Sequence, residues 1–64
     1  MIVVMHRQHT PAELQNMVKR IESLGLKANV IVGTERTVIA AVGDERDGIK
    51  EILEAGDGVA EVMP

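Results

Sequence analysis

Two short segments of this chain, Ile2-Val3-Val4-Met5 and Val38-Ile39-Ala40-Ala41-Val42, are apolar on both side-chain parities. Successive side chains of a strand point to opposite sheet faces, so segments like these want cover on each side. That is a heavy demand on 64 residues, because so short a chain buries only a modest share of its unfolded surface. There is no cysteine, hence neither a disulfide staple nor a thiolate metal cage to supply stability. A partner or a second domain is the remaining common source of cover. The apolar fraction of 45% is ordinary, yet Phe, Tyr and Trp are all absent. Val, Ile, Leu, Met and Ala must make the core, with Met5, Met17 and Met63 read as its fillers.

The rest of the chain resolves into alternating periods. His6 to His9 is a polar connection after the first strand. Thr10-Pro11-Ala12-Glu13 is a helix start: an N-cap hydroxyl, a proline where a missing N–H costs nothing, and a glutamate that completes a capping box. Leu14, Met17, Val18, Ile21 and Leu24 follow at helical spacing, and Gly25 suits the position after the helix. The spacing predicts a helix from Pro11 to Leu24. Leu26 to Val32 reads as a strand, with Ala28, Val30 and Val32 on one parity and Lys27, Asn29 and Ile31 on the other. Gly33 to Arg36 is a loop of hairpin length, so Thr37 to Val42 should pair antiparallel with the preceding strand. Asp44, with Asp47 three residues on, is the expected N-cap of a second helix carrying Ile49, Ile52 and Leu53. Gly56-Asp57-Gly58 ends it, and Val59 to Met63 is a last strand in which Glu61 interrupts one face.

The order β-α-β-β-α-β defines an α+β domain over residues 1–64. It is a ferredoxin-like plait: a four-stranded antiparallel sheet with both helices on one face. Connection rules place the first and third strands side by side, and they are expected to run parallel. The helix-free face has no cover within the chain although two of its strands are apolar there. An exposed patch of that kind is an association site, so the bare face is expected to pack on another subunit or domain.

Charge and composition exclude several partners. The formal charge of −3 and pI near 5.2 provide no basic patch for nucleic acid or an anionic membrane, and no aromatic is present to stack on unpaired bases. No apolar run is long enough to span a bilayer, and the one at the start is too short for a secretory signal. Cytoplasmic residence is the expectation. His6 and His9 lack a third ligand at metal spacing and read as solvated loop residues. Asp44, Glu45 and Asp47 surround Arg46 without the spacing of a calcium loop, and helix capping accounts for them. Glu35 and Arg36 read either as a solvated turn or as a contact to a neighbouring domain. No nucleophile–base arrangement and no phosphate-cradling glycine loop is present. Catalysis is not expected of this chain.

Met1-Ile2-Val3-Val4, Leu26-Lys27 and above all Gly33 through Asp44 resemble the N-terminal ferredoxin-like (ACT-like) regulatory domain of one bacterial and archaeal class of 3-deoxy-D-arabino-heptulosonate 7-phosphate (DAHP) synthase. The distinctive core is Glu35-Arg36-Thr37-Val38-Ile39 followed by Gly43-Asp44, and the resemblance covers essentially the whole chain. It implies a domain that precedes a catalytic (β/α)8 barrel. That barrel condenses phosphoenolpyruvate with erythrose 4-phosphate on a divalent metal, at the entry to aromatic amino acid synthesis. By the same resemblance, this domain needs no cofactor of its own. It senses tyrosine or phenylalanine, pairs with a like domain of another subunit, and gates the barrel. Effector contacts would fall on Asn29, Ile31 and Gly33, and interdomain contacts on Glu35 and Arg36. Ile31 departs from what a tyrosine site favours, a small hydroxyl residue.

Two other function classes compete with the regulatory domain. One is a free-standing small-molecule-binding or oligomerisation module of the same fold, which a stop codon after Pro64 would favour. The other is a small enzyme assembled between subunits, in which His6, His9 or Arg36 would supply the acid–base group.

Overall fold

The computed structural model describes residues 1–64. The elements run β1 (Ile2–Met5), α1 (Pro11–Ser23), β2 (Lys27–Val32), β3 (Thr37–Val42), α2 (Ile49–Glu54) and β4 (Val59–Met63). The four strands form one sheet in the order β2-β3-β1-β4, and every neighbouring pair is antiparallel. This is the ferredoxin-like plait expected from element order.

One expectation about the sheet is overturned. β1 and β3 are neighbours, but they run antiparallel, with Val3 opposite Ile39 and Val4 opposite Val38. The hairpin reverses direction between β2 and β3, so β1 and β2 point one way and β3 and β4 the other, each pair with one strand between its members. The handedness rule for crossovers therefore applies to the β1–β2 and β3–β4 pairs, not to β1 and β3.

Local chemistry accounts for α1. The Thr10 backbone N–H donates to Glu13 Oε1 at 2.8 Å, and the Glu13 N–H donates to Thr10 Oγ1 at 3.1 Å. Both halves of the capping box are made, with Pro11 in the first turn. The helix buries Met17 and Ile21 and stops at Leu24, whose N–H donates back to Arg20 O and Ile21 O. The Arg46 guanidinium donates to the Leu24 carbonyl, filling an acceptor that a helix C-terminus leaves open.

α2 begins later than its sequence signals indicate. Asp44 does not cap it: the N-cap is Gly48, at φ 90° and ψ −14°, with no side-chain cap bond. The left-handed φ there is one that glycine adopts without a steric cost. Residues 44–48 instead form a turn that longer-range contacts hold. Glu45 Oε1 lies 3.2 Å from the Met1 amino nitrogen, and Arg46 reaches Leu24. The acidic run is thus loop structure and not a helix cap. What remains of the helix is six residues, too few to be stable alone. Ile49 and Leu53 anchor it by burial, while Ile52 stays 44% exposed.

The core lies between the helices and one sheet face. Val3 and Met5, Ile39 and Ala41, and Val62 meet Met17, Ile21, Ile49 and Leu53, with Leu26 closing one side. All are aliphatic or methionine, as an aromatic-free chain requires. Met63 is an exception to the filler reading. It pairs with Ile2, which puts it on the opposite sheet face, where it is 42% exposed. A register shift between Val4 and Met5 makes Glu61 and Val59 their partners, so Ala60 is the extra residue of a β-bulge.

Candidate functional site

β2 is an edge strand, so one side of its backbone has unpaired donors and acceptors. Its register against β3 sets which way each side chain faces. Asn29 is opposite Ala40 and Ile31 is opposite Val38, while Ala40 and Val38 are in turn opposite Ile2 and Val4. Directly opposed residues share a face. Asn29 and Ile31 therefore stand on the helix-free side, in line with Ile2, Val4, Val38 and Ala40.

That face is apolar across its width. Val4 is walled in at its centre and only 6% exposed, and Ile31, Val42 and Met63 ring it at 54%, 55% and 42%. Lys27, Asn29 and Glu61 are its polar members, all near the two outer strands. Neither helix covers it, since both lie against the core side. β2 is also open on its other side. Val30 and Val32 point towards the helix layer but remain 42% and 76% exposed. Val30 joins Leu14 and Val18 of α1 along a groove of about 430 Å³. The sequence placed Val30 and Val32 on one parity with Ala28. Only the packing reveals that the helices do not reach the far end of the strand.

The remaining candidates sit at the hairpin. Gly33 opens the loop, and its N–H donates to Arg36 O at 2.9 Å. A Cβ at Gly33 would lie 2.7 Å from that carbonyl oxygen, which explains the glycine by close backbone approach. Gly33 is four residues from Asn29, about 13 Å along a strand. Asn29 and Ile31 form one surface, and Gly33 marks its end.

Glu35 accepts from Arg7 Nη2 at 3.1 Å. Their side chains are 64% and 75% exposed, so this ion pair contributes about 0–1 kcal/mol. It ties the hairpin to the β1–α1 loop, and the partners are 28 residues apart in the chain. No local pattern signals such a contact. Arg36 turns towards that same loop and helps line a polar crevice of about 510 Å³ with His6, Arg7, His9, Glu13 and Gly58. His9 Nδ1 lies 2.6 Å from the His6 carbonyl oxygen. No group of three or more His, Cys, Asp or Glu is arranged to hold a metal ion. No helix is long and apolar enough to cross a membrane.

Comparison with known proteins converges on one family. The profile described as "DAHP synthase ferredoxin-like domain" matches residues 1–64. A phospho-2-dehydro-3-deoxyheptonate aldolase of Thermotoga maritima is 44% identical over 46 residues, covering 72% of this chain and 14% of that protein. The crystal structure of a DAHP synthase from the same organism superposes with a TM-score of 0.84 at 37% identity, over 94% of this chain and 18% of the other. The chain thus spans less than a fifth of the length of either relative.

Proposed function

This chain belongs to the DAHP synthase ferredoxin-like domain family, and from that membership we propose that it is a non-catalytic regulatory module of a DAHP synthase. In this reading a catalytic (β/α)8 barrel in the parent chain condenses phosphoenolpyruvate with erythrose 4-phosphate, using a divalent metal held in the barrel. The domain binds tyrosine or phenylalanine, pairs with a like domain of another subunit in the cytoplasm, and gates the barrel. Feedback then works as a population shift: the effector favours the paired, gated arrangement over the open one.

The observation that carries this reading is the bare sheet face. Ile2, Val4, Val38, Ala40, Val42, Ile31 and Met63 form an apolar surface that nothing in the chain covers. Contiguous apolar exposure on that scale supports a second packing surface. Asn29 is a polar group on its margin, able to hydrogen-bond an effector carboxylate or hydroxyl, and Gly33 marks where the strand ends. Ile31 narrows the same place and offers no hydroxyl, which favours phenylalanine over tyrosine. Glu35 is held by Arg7 within the domain, so Arg36 is the better candidate for a contact to a neighbouring domain.

The test removes residues 1–64 from the complete parent protein and measures DAHP synthesis with each aromatic amino acid. Retained catalysis with lost feedback is the expected result. Loss of catalysis in the truncated protein would sink the reading of the domain as non-catalytic. Full feedback in the truncated protein would leave the alternative, a binding or assembly module with no part in control.

A further inference from the structure

The polar crevice beside the hairpin is separate from the bare sheet face and shares only Arg36 with the regulatory reading. Three connections meet there: the β1–α1 loop brings His6, Arg7 and His9, the hairpin brings Arg36, and Gly58 precedes β4. Glu13 is the one acidic residue in its lining, and no hydrophobic residue contributes. Arg7 is paired with Glu35, which leaves Arg36 as the cation of the lining without a carboxylate partner.

Existing bonds already occupy the negative groups nearby. Glu13 Oε1 accepts from the Thr10 N–H, and the Glu35 carboxylate, just outside the crevice, accepts from Arg7. Arg36 is in none of the ion pairs of the domain. Its guanidinium is a planar fork matched to oxyanions. The volume of about 510 Å³ admits a small ligand.

We propose that this crevice binds a small tetrahedral oxyanion, free or as a phosphate monoester, with Arg36 and Arg7 as its cationic contacts. The charged groups at the site are Arg7, Arg36, Glu13 and Glu35, and the two glutamates oppose anion binding.

Sulfate is the probe, a tetrahedral oxyanion of fixed charge. The experiment follows amide and imidazole resonances of the 64-residue chain as sulfate replaces chloride at constant ionic strength. The expected result is saturable shifts confined to the amides of Arg7, Gln8, His9, Arg36 and Gly58. Arg36→Gln should weaken binding about tenfold, the loss of one charge-assisted contact. Arg7→Gln serves as a second variant if Arg36→Gln spoils the spectrum. Methyl phosphate binding as well as sulfate assigns the site to the ester; sulfate alone assigns it to the free ion. Scattered shifts, or affinity unchanged in both variants, mean an adventitious ion only and overturn the proposal. So does the absence of saturation at any concentration that leaves the fold intact.

Discussion

The two faces of the sheet use nearly the same amino acids and meet different fates. On the helix side Val3, Met5, Ile39, Ala41 and Val62 are all 4% exposed or less. On the other side Ile2, Val38, Ala40, Val42, Ile31 and Met63 have no helix above them, and the last three exceed 40% exposure, while Val4 at the centre of the face is 6% exposed. Side-chain chemistry therefore does not separate core from surface here. Which parity becomes the interior depends on where two helices land. The leftover face is apolar and neither helix of the chain covers it.

The contrast breaks most readily at its buried end. Ile39→Ala removes a side chain with no exposure and should cost about 2–5 kcal/mol, comparable to the whole stability expected of so small a core. Urea unfolding followed by circular dichroism should find the variant largely unfolded in water. Val4→Ala tests the intermediate case. It lies at the centre of the bare face yet is 6% exposed, so a loss of about 1–2 kcal/mol is expected by the same measurement. Ile31→Ser has the smallest effect on folding, within about 0.5 kcal/mol in dilute solution, but it should lower self-association in sedimentation at high concentration. A penalty for Ile31→Ser as large as that for Ile39→Ala would mean that the bare face is packed within the chain, and the distinction between faces would fall.

Much of this architecture was legible because its signals are local. Thr10, Pro11 and Glu13 are three residues apart at most and specify the start of α1 without help. β3 was legible from Thr37 to Val42, since the run is continuous and a glycine or loop bounds each end. α2 was not. Asp44 and Asp47 have the residue types of a cap, yet Glu45 and Arg46 are drawn to Met1 and Leu24, more than 20 residues away in sequence. Those contacts hold the loop open until Gly48. The direction of β3 relative to β1 is not local either: adjacency in a sheet and direction of travel are separate facts, and the hairpin settles the second.

The candidate site divides in the same way. Alternation along β2 was enough to put Asn29 and Ile31 on one parity and Val30 and Val32 on the other. It could not say that Val32 would be left 76% exposed, nor that Glu35 would find Arg7, nor that His6, His9 and Arg36 would line one crevice.

Sequence by itself determined the order of elements, the α1 cap, the strand parities and the surplus of apolar surface. Each of these follows from neighbours within about four residues, the reach of a helical turn or a strand repeat. Tertiary structure alone decided which parity is buried, where α2 begins and which loops share a crevice. These depend on groups that are distant in the chain and meet only after the helices have docked on one side of the sheet.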